Sequence, residues 1–323
     1  MNVKYLGKTG LKVSEICLGT MQFGWTADEE SSLKVMDKAH DAGMIFWDTA
    51  NVYTRWSEKS YAGKTEEIIG KWFTKTGNRD DIILATKVRG KMGEQPNDEG
   101  LSKRHIKKQI DASLKRLQTS WVDLYQTHRV DYNVPIEETL TALNDLIHTG
   151  KVHAIGASNY PAWALTESWW VAKDLGLQPY KTFQPYYNIV DRKPFEEENQ
   201  LVCDKYGLAV IPYSPLAAGF LTGKYKKDGP VPESGRAEGV KRRFMNEKGF
   251  KVLDTVIGVA NKHGVKPTQV ALAWILKQNT IASPIIGANS VEQLEDILET
   301  SSVNLKEEDL KILNEVSDWK ENT

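Results

Sequence analysis

The sequence has little sulfur and no excess of either charge. Cys17 and Cys203 are the only cysteines among 323 residues. Neither stands in a Cys-x-x-Cys pair, which argues against a disulfide framework and a cysteine-based zinc site. Cys17 lies in the apolar run Ile16-Cys17-Leu18 and Cys203 in a helical pattern, so both read as small buried hydrophobes of a reducing compartment. The chain carries 42 Lys and Arg against 43 Asp and Glu, a formal net charge of -1. That balance gives no basic field for nucleic acid or a membrane surface. The run Lys241-Arg242-Arg243 reads as a solvated loop. No apolar run is long enough to span a bilayer. The N-terminus has no charged stretch followed by an apolar one, so no signal peptide is expected. Metal-ligand spacings and a Ser or Cys nucleophile beside a base are also missing. The expectation is a cytoplasmic protein with no nucleic-acid or membrane partner.

What is present is alternation. Short β-like runs fall at 15–18, 44–48, 82–86, 122–128, 153–158, 181–184, 209–213 and 281–286. Amphipathic helical segments lie between them at 31–41, 65–74, 102–117, 136–149, 162–175, 195–206, 250–277 (interrupted near Gly264) and 291–299. Ser102 is placed to cap a helix. Gly43, Gly150, Gly176 and Gly207 each follow a helical run, where a residue tolerant of left-handed φ ends the helix. Strands alternating with helices imply βα units and a parallel sheet. Eight units over this length predict an α/β fold, a (β/α)8 barrel forming one domain over 1–323. Residues 1–14 read as a β-hairpin that plugs the barrel bottom, and 306–316 as an additional C-terminal helix. The longest loop is 217–244. Trp169 and Trp170 sit within a helix and are expected to pack.

In such a barrel the active site lies at the C-terminal ends of the strands. Asp48 ends the second run, with Tyr53 five residues on. Lys87 ends the third, His128 the fourth, Ser158-Asn159 the fifth, Gln184 the sixth and Tyr213-Ser214 the seventh. Singly, each has an ordinary reading: a turn cap, a packing tyrosine, a snorkelling lysine, a hydrogen-bonded core histidine. Together on consecutive strands they face one mouth and suit carbonyl reduction. That reaction needs hydride at carbon and a proton at oxygen. A phenol donates poorly at its reference pKa of about 10. A Lys87 ammonium held charged by Asp48 is expected to lower the Tyr53 pKa, while His128 orients the carbonyl oxygen.

The blocks Leu-Gly-Thr-Met (18–21), Phe-Trp-Asp-Thr-Ala-Asn-Val-Tyr (46–53), Ala-Thr-Lys (85–87) and Val-Asp-Leu-Tyr-Gln-Thr-His (122–128) resemble the aldo-keto reductase superfamily. So do Gly-Lys-Val-His-Ala-Ile-Gly-Ala-Ser-Asn (150–159), Gln-Pro-Tyr-Tyr-Asn (184–188), 213–225 and Pro-Ile-Ile-Gly-Ala (284–288). The stretch His128-Arg129-Val130-Asp131 with 135–146 is similar to the bacterial and fungal branch near the potassium-channel β subunits. The resemblance implies NADP(H), a small carbonyl or alcohol substrate, and Asp48, Tyr53, Lys87 and His128 as the catalytic four. It implies Ser158, Asn159 and Gln184 on the nicotinamide amide and Tyr213 on its ring. The 214–224 loop, with Ser214, Pro215, Leu216, Gly219, Leu221 and Lys224, would wrap the pyrophosphate. Gly287, Asn289, Gln293 and Asp296 would hold the adenosine end, with Gly19, Thr20, Met21 and Ile286 also lining the cofactor. The family does not use a Gly-x-Gly-x-x-Gly motif, and none is present. Gln293 stands where many relatives place an Arg on the 2′-phosphate, so Lys224 or the 241–243 run, Arg243 included, is expected to supply that charge. Arg129 reads either as a contact to a polar or anionic substrate or as a salt bridge to Asp131. Trp25, Trp56 and Tyr61 either line the substrate pocket or anchor loops. The competing implication is a cofactor-binding regulatory subunit. Oligomeric state stays open.

Overall fold

Parity along the strands and capping at the helix ends build the molecule. The computed structural model describes residues 1–320 except 228, 233 and 234. Strands β1 (Val3–Tyr5) and β2 (Lys12–Ser14) pair antiparallel as the expected hairpin. Eight parallel strands follow: β3 (Cys17–Gly19), β4 (Phe46–Asp48), β5 (Ile83–Val88), β6 (Val122–Thr127), β7 (Val152–Ser158), β8 (Thr182–Gln184), β9 (Ala209–Val210) and β10 (Ile285–Ile286). They run β10-β3-β4-β5-β6-β7-β8-β9. Parallel bridges Val210–Ile281 and Tyr213–Ile285 join the two edges, and the Ile285 N–H donates to the Pro212 carbonyl at 2.8 Å. The sheet thus closes on itself as a (β/α)8 barrel.

The helices are α1 (Glu29–Asp41), α2 (Lys64–Thr76), α3 (Lys103–Leu117), α4 (Ile136–His148), α5 (Ala162–Asp174), α6 (Lys193–Glu196) and α7 (Asn199–Tyr206). Then come α8 (Ala237–Phe244), α9 (Glu247–His263), α10 (Pro267–Leu276), α11 (Val291–Leu298) and the additional α12 (Glu307–Val316). Asp28 and Ser102 accept from the Ser31 and His105 backbone N–H groups and so start α1 and α3. Gly207, at φ 69°, ends α7. Among the described residues no helix is long and apolar enough to cross a membrane.

Two local expectations change and one holds. The 195–206 segment is two helices, α6 and α7. The 250–277 segment breaks at Gly264, as expected, into α9 and α10. The 217–244 stretch, of which 228, 233 and 234 lie outside the described residues, is not one loop. It holds a 3-10 segment, Ala217–Thr222, and helix α8. Val240 and Phe244 of α8 are buried, and Phe244 stacks on Phe220 at 5.7 Å. The helix is fixed by that distant partner, not by its own charged sequence.

Two apolar layers hold the barrel. Outward-facing strand residues such as Trp47, Leu84, Tyr125, Ile155 and Phe183 pack on the helices. Inward-facing Cys17, Phe46, Ala85, Leu124 and Ala154 form a smaller interior cluster. Leu6 and Val13 of the hairpin belong to that interior cluster, so the hairpin plugs the barrel floor. Trp169 stacks on Tyr206 at 4.6 Å and ties α5 to α7. Trp170 departs from the packing expectation: it is largely exposed, its face covered by Lys173.

Helices α2 and α3 meet at a glycine. A Cβ built on Gly70 would lie 2.2 Å from the Arg116 carbonyl oxygen. That contact is with backbone, so relief requires the helices to part. Gly70→Ala is therefore expected to lower stability by about 1–3 kcal/mol, read as a lower urea midpoint.

Candidate active site

Alternation along each strand decides which side chains enter the barrel. Phe46 and Asp48 share a parity on β4, as do Ala85 and Lys87 on β5, and Leu124 and Gln126 on β6. Phe46, Ala85 and Leu124 belong to the apolar floor, and Asp48, Lys87 and Gln126 stand one step above it. Ladder pairing of Lys87 with Gln126, and of Gln126 with Gly156, sets them at one height. Gly156 makes the room: a Cβ there would lie 2.1 Å from Thr182 Oγ1.

Asp48 is the hub of this layer. Lys87 Nζ donates to Asp48 Oδ1 at 2.5 Å, to the Thr49 carbonyl at 2.9 Å and to Tyr53 Oη at 2.7 Å. Gln126 and Gln184 donate to Asp48 Oδ2 at 3.1 and 2.9 Å. The Tyr53 hydroxyl lies 3.5 Å from Asp48 Oδ1. Lys87 and Asp48 are both buried. Thr54, at φ 70°, donates its hydroxyl to the Tyr61 carbonyl at 2.7 Å and braces the loop that carries Tyr53. The His128 ring meets Tyr53 edge-on, centroids 5.9 Å apart. The Asn159 amide donates to the His128 carbonyl at 3.0 Å and accepts from the Tyr213 hydroxyl at 2.9 Å.

The electrostatics correct one expectation. Lys87 does not bring the Tyr53 pKa down. Burial, followed by the Asp48 charge, holds the phenol well above its ordinary value. The cost of burying a phenolate, together with the Asp48 carboxylate 3.5 Å from the hydroxyl, outweighs the pull of the ammonium. Burial also lowers Lys87, with Asp48 opposing. His128 is lowered to about 3, by burial first and then by the charges of Lys87, Arg129 and Arg89. The site thus presents a protonated phenol beside a neutral imidazole.

Tyr53, Asp48 and His128 open into a cavity of about 1300 Å³ at the C-terminal ends of the strands. Ordinary small-molecule pockets reach about 300–1,000 Å³. Asn159, Gln184 and Tyr213 continue its wall, as do Gly19, Thr20 and Met21. Ser214, Pro215, Leu216, Gly219 and Lys224 follow, and Ile286, Gly287, Asn289, Gln293 and Asp296 form the far end. Lys87, Ser158 and Leu221 stand behind the wall: Ser158 donates to the Gln184 carbonyl at 2.9 Å, and Leu221 is core. Trp25 and Arg129 line the cavity. Trp56 and Tyr61 do not. Trp56 sits behind Trp25, edge to face at 5.5 Å, and the exposed Tyr61 donates to Glu67 at 2.5 Å. Of the basic run, only Arg243 reaches the cavity, held by Asp191 at 2.8 Å and over the Tyr186 ring at 4.3 Å.

The wall fits a dinucleotide. Ser214, Ala217, Ala218 and Gly219 all have positive φ (61°, 49°, 56° and 94°). Such runs turn backbone N–H groups toward one concavity, where anions bind. The N-terminal ends of α10 and α11 contribute Thr268 and Gln293 to the wall, and helix N-termini favour phosphate. Gly287 keeps the wall flat: a Cβ there would lie 1.9 Å from Gln22 Nε2.

Several residues of the site and its cavity escaped sequence reasoning. Gln126 was readable by parity, two residues before His128. Arg89 was readable the same way, two residues after Lys87. Lys266 was hidden in helix punctuation before Pro267; it pairs with Asp296 and lines the far end.

Residues 15–318 match the model of the aldo/keto reductase family, and the chain belongs to that family. An uncharacterized oxidoreductase, YrpG, of Bacillus subtilis is 39% identical over 98% of this chain and 96% of its own length. Versiconal hemiacetal acetate reductase of Aspergillus parasiticus is 33% identical, over 98% and 96%. A probable voltage-gated potassium channel subunit β of Arabidopsis thaliana is 36% identical, over 94% and 92%. The protein is an oxidoreductase of the carbonyl-reducing kind, from a family that works with nicotinamide cofactors.

Removing one member of the buried pair strands the other. Lys87→Met is expected to cost about 3–5 kcal/mol, because the Asp48 carboxylate loses its counter-charge. The double variant Lys87→Met/Asp48→Leu should recover part of that loss in urea unfolding.

Proposed function

We propose that the protein reduces aldehydes or ketones to alcohols with NADPH, Tyr53 giving the proton to the carbonyl oxygen. The observation that carries this reading is the buried chain Asp48–Lys87–Tyr53, which ends on a protonated phenol at the cavity wall. A bound nicotinamide nucleotide would supply the hydride. Tyr213, Asn159 and Gln184 would hold its ring end, the 214–219 segment its phosphates, and Asn289 and Gln293 its adenosine end.

The protein's own work is proton placement. Tyr53 holds its proton at the hydroxyl because burial and Asp48 disfavour the phenolate. The neutral His128 can donate one ring N–H to the substrate oxygen without competing for the transferred proton. As Tyr53 gives up its proton, the Lys87 ammonium 2.7 Å away stabilises the phenolate. Asp48 keeps that ammonium charged inside a dry layer. In alcohol oxidation the same phenolate takes the proton back.

NADPH is preferred over NADH on the basis of charge. Lys224, Arg236 and Lys266 line the cavity, and Gly223 lies against Pro267, which draws the 224 and 266 positions together. A second reading, a cofactor-binding regulatory subunit, is favoured by the plant relatives named as channel β subunits. Turnover separates the two, since a regulatory subunit binds NADPH without reducing an aldehyde panel.

Tyr53→Phe is expected to lower kcat about a hundred- to ten-thousandfold while cofactor affinity holds; full activity would exclude Tyr53 as the acid. The phenol is pushed upward and His128 down to about 3. Neither group changes charge near neutrality, so reductive kcat/KM is expected to be flat from about pH 5 to 8. A fall with rising pH across that range would contradict the assignment. In the same assays kcat/KM is expected to favour NADPH; a preference for NADH would overturn the cofactor choice.

A further inference from the structure

Two arginines at the substrate end of the cavity have no partner in the reduction just described. Strand β5 leaves the barrel as Lys87-Val88-Arg89, and β6 as Thr127-His128-Arg129. The His128 N–H donates to the Val88 carbonyl at 2.9 Å, so Arg89 and Arg129 extend neighbouring strands just above Lys87 and His128. Both line the cavity wall.

Arg89 is held in an unfavourable state twice over. Its φ is 129°, a region that residues with a Cβ rarely adopt, and its carbonyl is fixed there by the Gly100 N–H at 2.9 Å. Its Nε is buried and has no hydrogen-bond partner. Strained backbone and an unanswered buried donor persist where function requires them.

Arg129, exposed at the rim, likewise makes no ion pair among the described residues. The Asp131 carboxylate, its nearest candidate in sequence, instead accepts from the Leu101 and Asn133 N–H groups at 2.8 and 3.1 Å. Three cations in or just behind the wall are answered by carboxylates: Lys87 by Asp48, Arg243 by Asp191 and Lys266 by Asp296. The two carboxylates of the wall, Asp48 and Asp296, are therefore already engaged. The charge of both arginines is felt at His128, whose basicity they help to depress.

We propose that Arg89 and Arg129 form an anion clamp beside Tyr53 and His128, so that the preferred substrates are carbonyl compounds carrying a carboxylate or phosphate. The guanidinium fork matches both groups, and Trp25 offers an apolar wall to the carbon body between the anion and the carbonyl. This inference rests on the reductase reading and specifies the substrate class.

The test compares para-carboxybenzaldehyde with methyl para-formylbenzoate, and glyceraldehyde phosphate with glyceraldehyde, in the wild type, Arg89→Gly and Arg129→Leu. Glycine suits φ 129°, so Arg89→Gly removes the guanidinium without threatening the fold. In the wild type at least one anionic substrate should exceed its neutral partner in kcat/KM by about tenfold or more. The pair that shows the larger ratio tells carboxylate from phosphate. Each substitution should shrink that ratio about tenfold, through KM of the anionic substrate, and Arg89→Lys should restore part of it. As a readout independent of turnover, unreactive terephthalate should quench tryptophan fluorescence in the wild type and not in the variants. Equal kcat/KM for charged and neutral partners, unaltered by the substitutions, would overturn the clamp and leave the reductase reading intact. A loss of cofactor affinity with the ratio unchanged would also overturn it, assigning Arg89 to the cofactor. Failure to reduce any aldehyde counts against the reductase reading itself, and the terephthalate arm then decides the clamp alone.

Discussion

The buried Lys87–Asp48 ion pair is the constraint on which the rest of the site depends. An isolated charge in such a layer would be driven to neutrality, because burial in a low dielectric costs several kcal/mol or more per ion. The pair survives because its lone pairs and protons are answered from all sides. Asp48 comes from β4, Lys87 from β5, Gln126 from β6 and Gln184 from β8. Each partner arrives at the right height only if the strands keep their register. A one-residue slip would turn the donor outward and leave the carboxylate exposed to an apolar layer. Barrel register and site electrostatics are therefore one requirement, and the small residue Gly156 belongs to it as much as the charged ones do.

The same layer divides the cavity into two chemical halves. Toward the 214–224 segment and the starts of α10 and α11, the wall offers backbone N–H groups and helix N-termini, and the nearby cations Arg243 and Lys266 have carboxylate partners. That half suits a ligand with distributed charge along its length. Toward the ends of β5 and β6, Arg89 and Arg129 are uncommitted. That half suits a smaller ligand with a concentrated negative charge. Tyr53 stands where the halves meet, which is the place a group working on both ligands has to occupy.

Much of this was readable in the amino acids, and the failures share a cause. The eight strands, the hairpin and most helices follow from period and punctuation, and Asp48, Lys87 and His128 follow from asking which polar residues end strands. Parity carried one step further would have found Gln126 and Arg89, since alternation continues past the last strand residue. The rest depends on distant partners. Helix α8 exists because Phe244 finds Phe220, more than twenty residues away in the chain. Trp56 is kept from the cavity by Trp25, a residue of another loop. The sign of the Tyr53 shift was misjudged for the same reason. A lysine next to a phenol lowers its pKa in isolation, but the depth of the layer, and the reach of the Asp48 charge to the phenol as well as to the lysine, belong to the folded state alone.

The central claim is that burial and Asp48 keep Tyr53 protonated while Lys87 holds an ammonium against it. NMR of the protein with ring-labelled tyrosine, the Tyr53 signal assigned by its loss in Tyr53→Phe, reads that proton directly. The Tyr53 resonance should stay at its protonated position through neutral pH and beyond the ordinary phenol value of about 10. A resonance that moves to the phenolate position near neutral pH would show that Lys87, not burial and Asp48, governs the phenol, and would contradict the electrostatics on which the proposed chemistry stands.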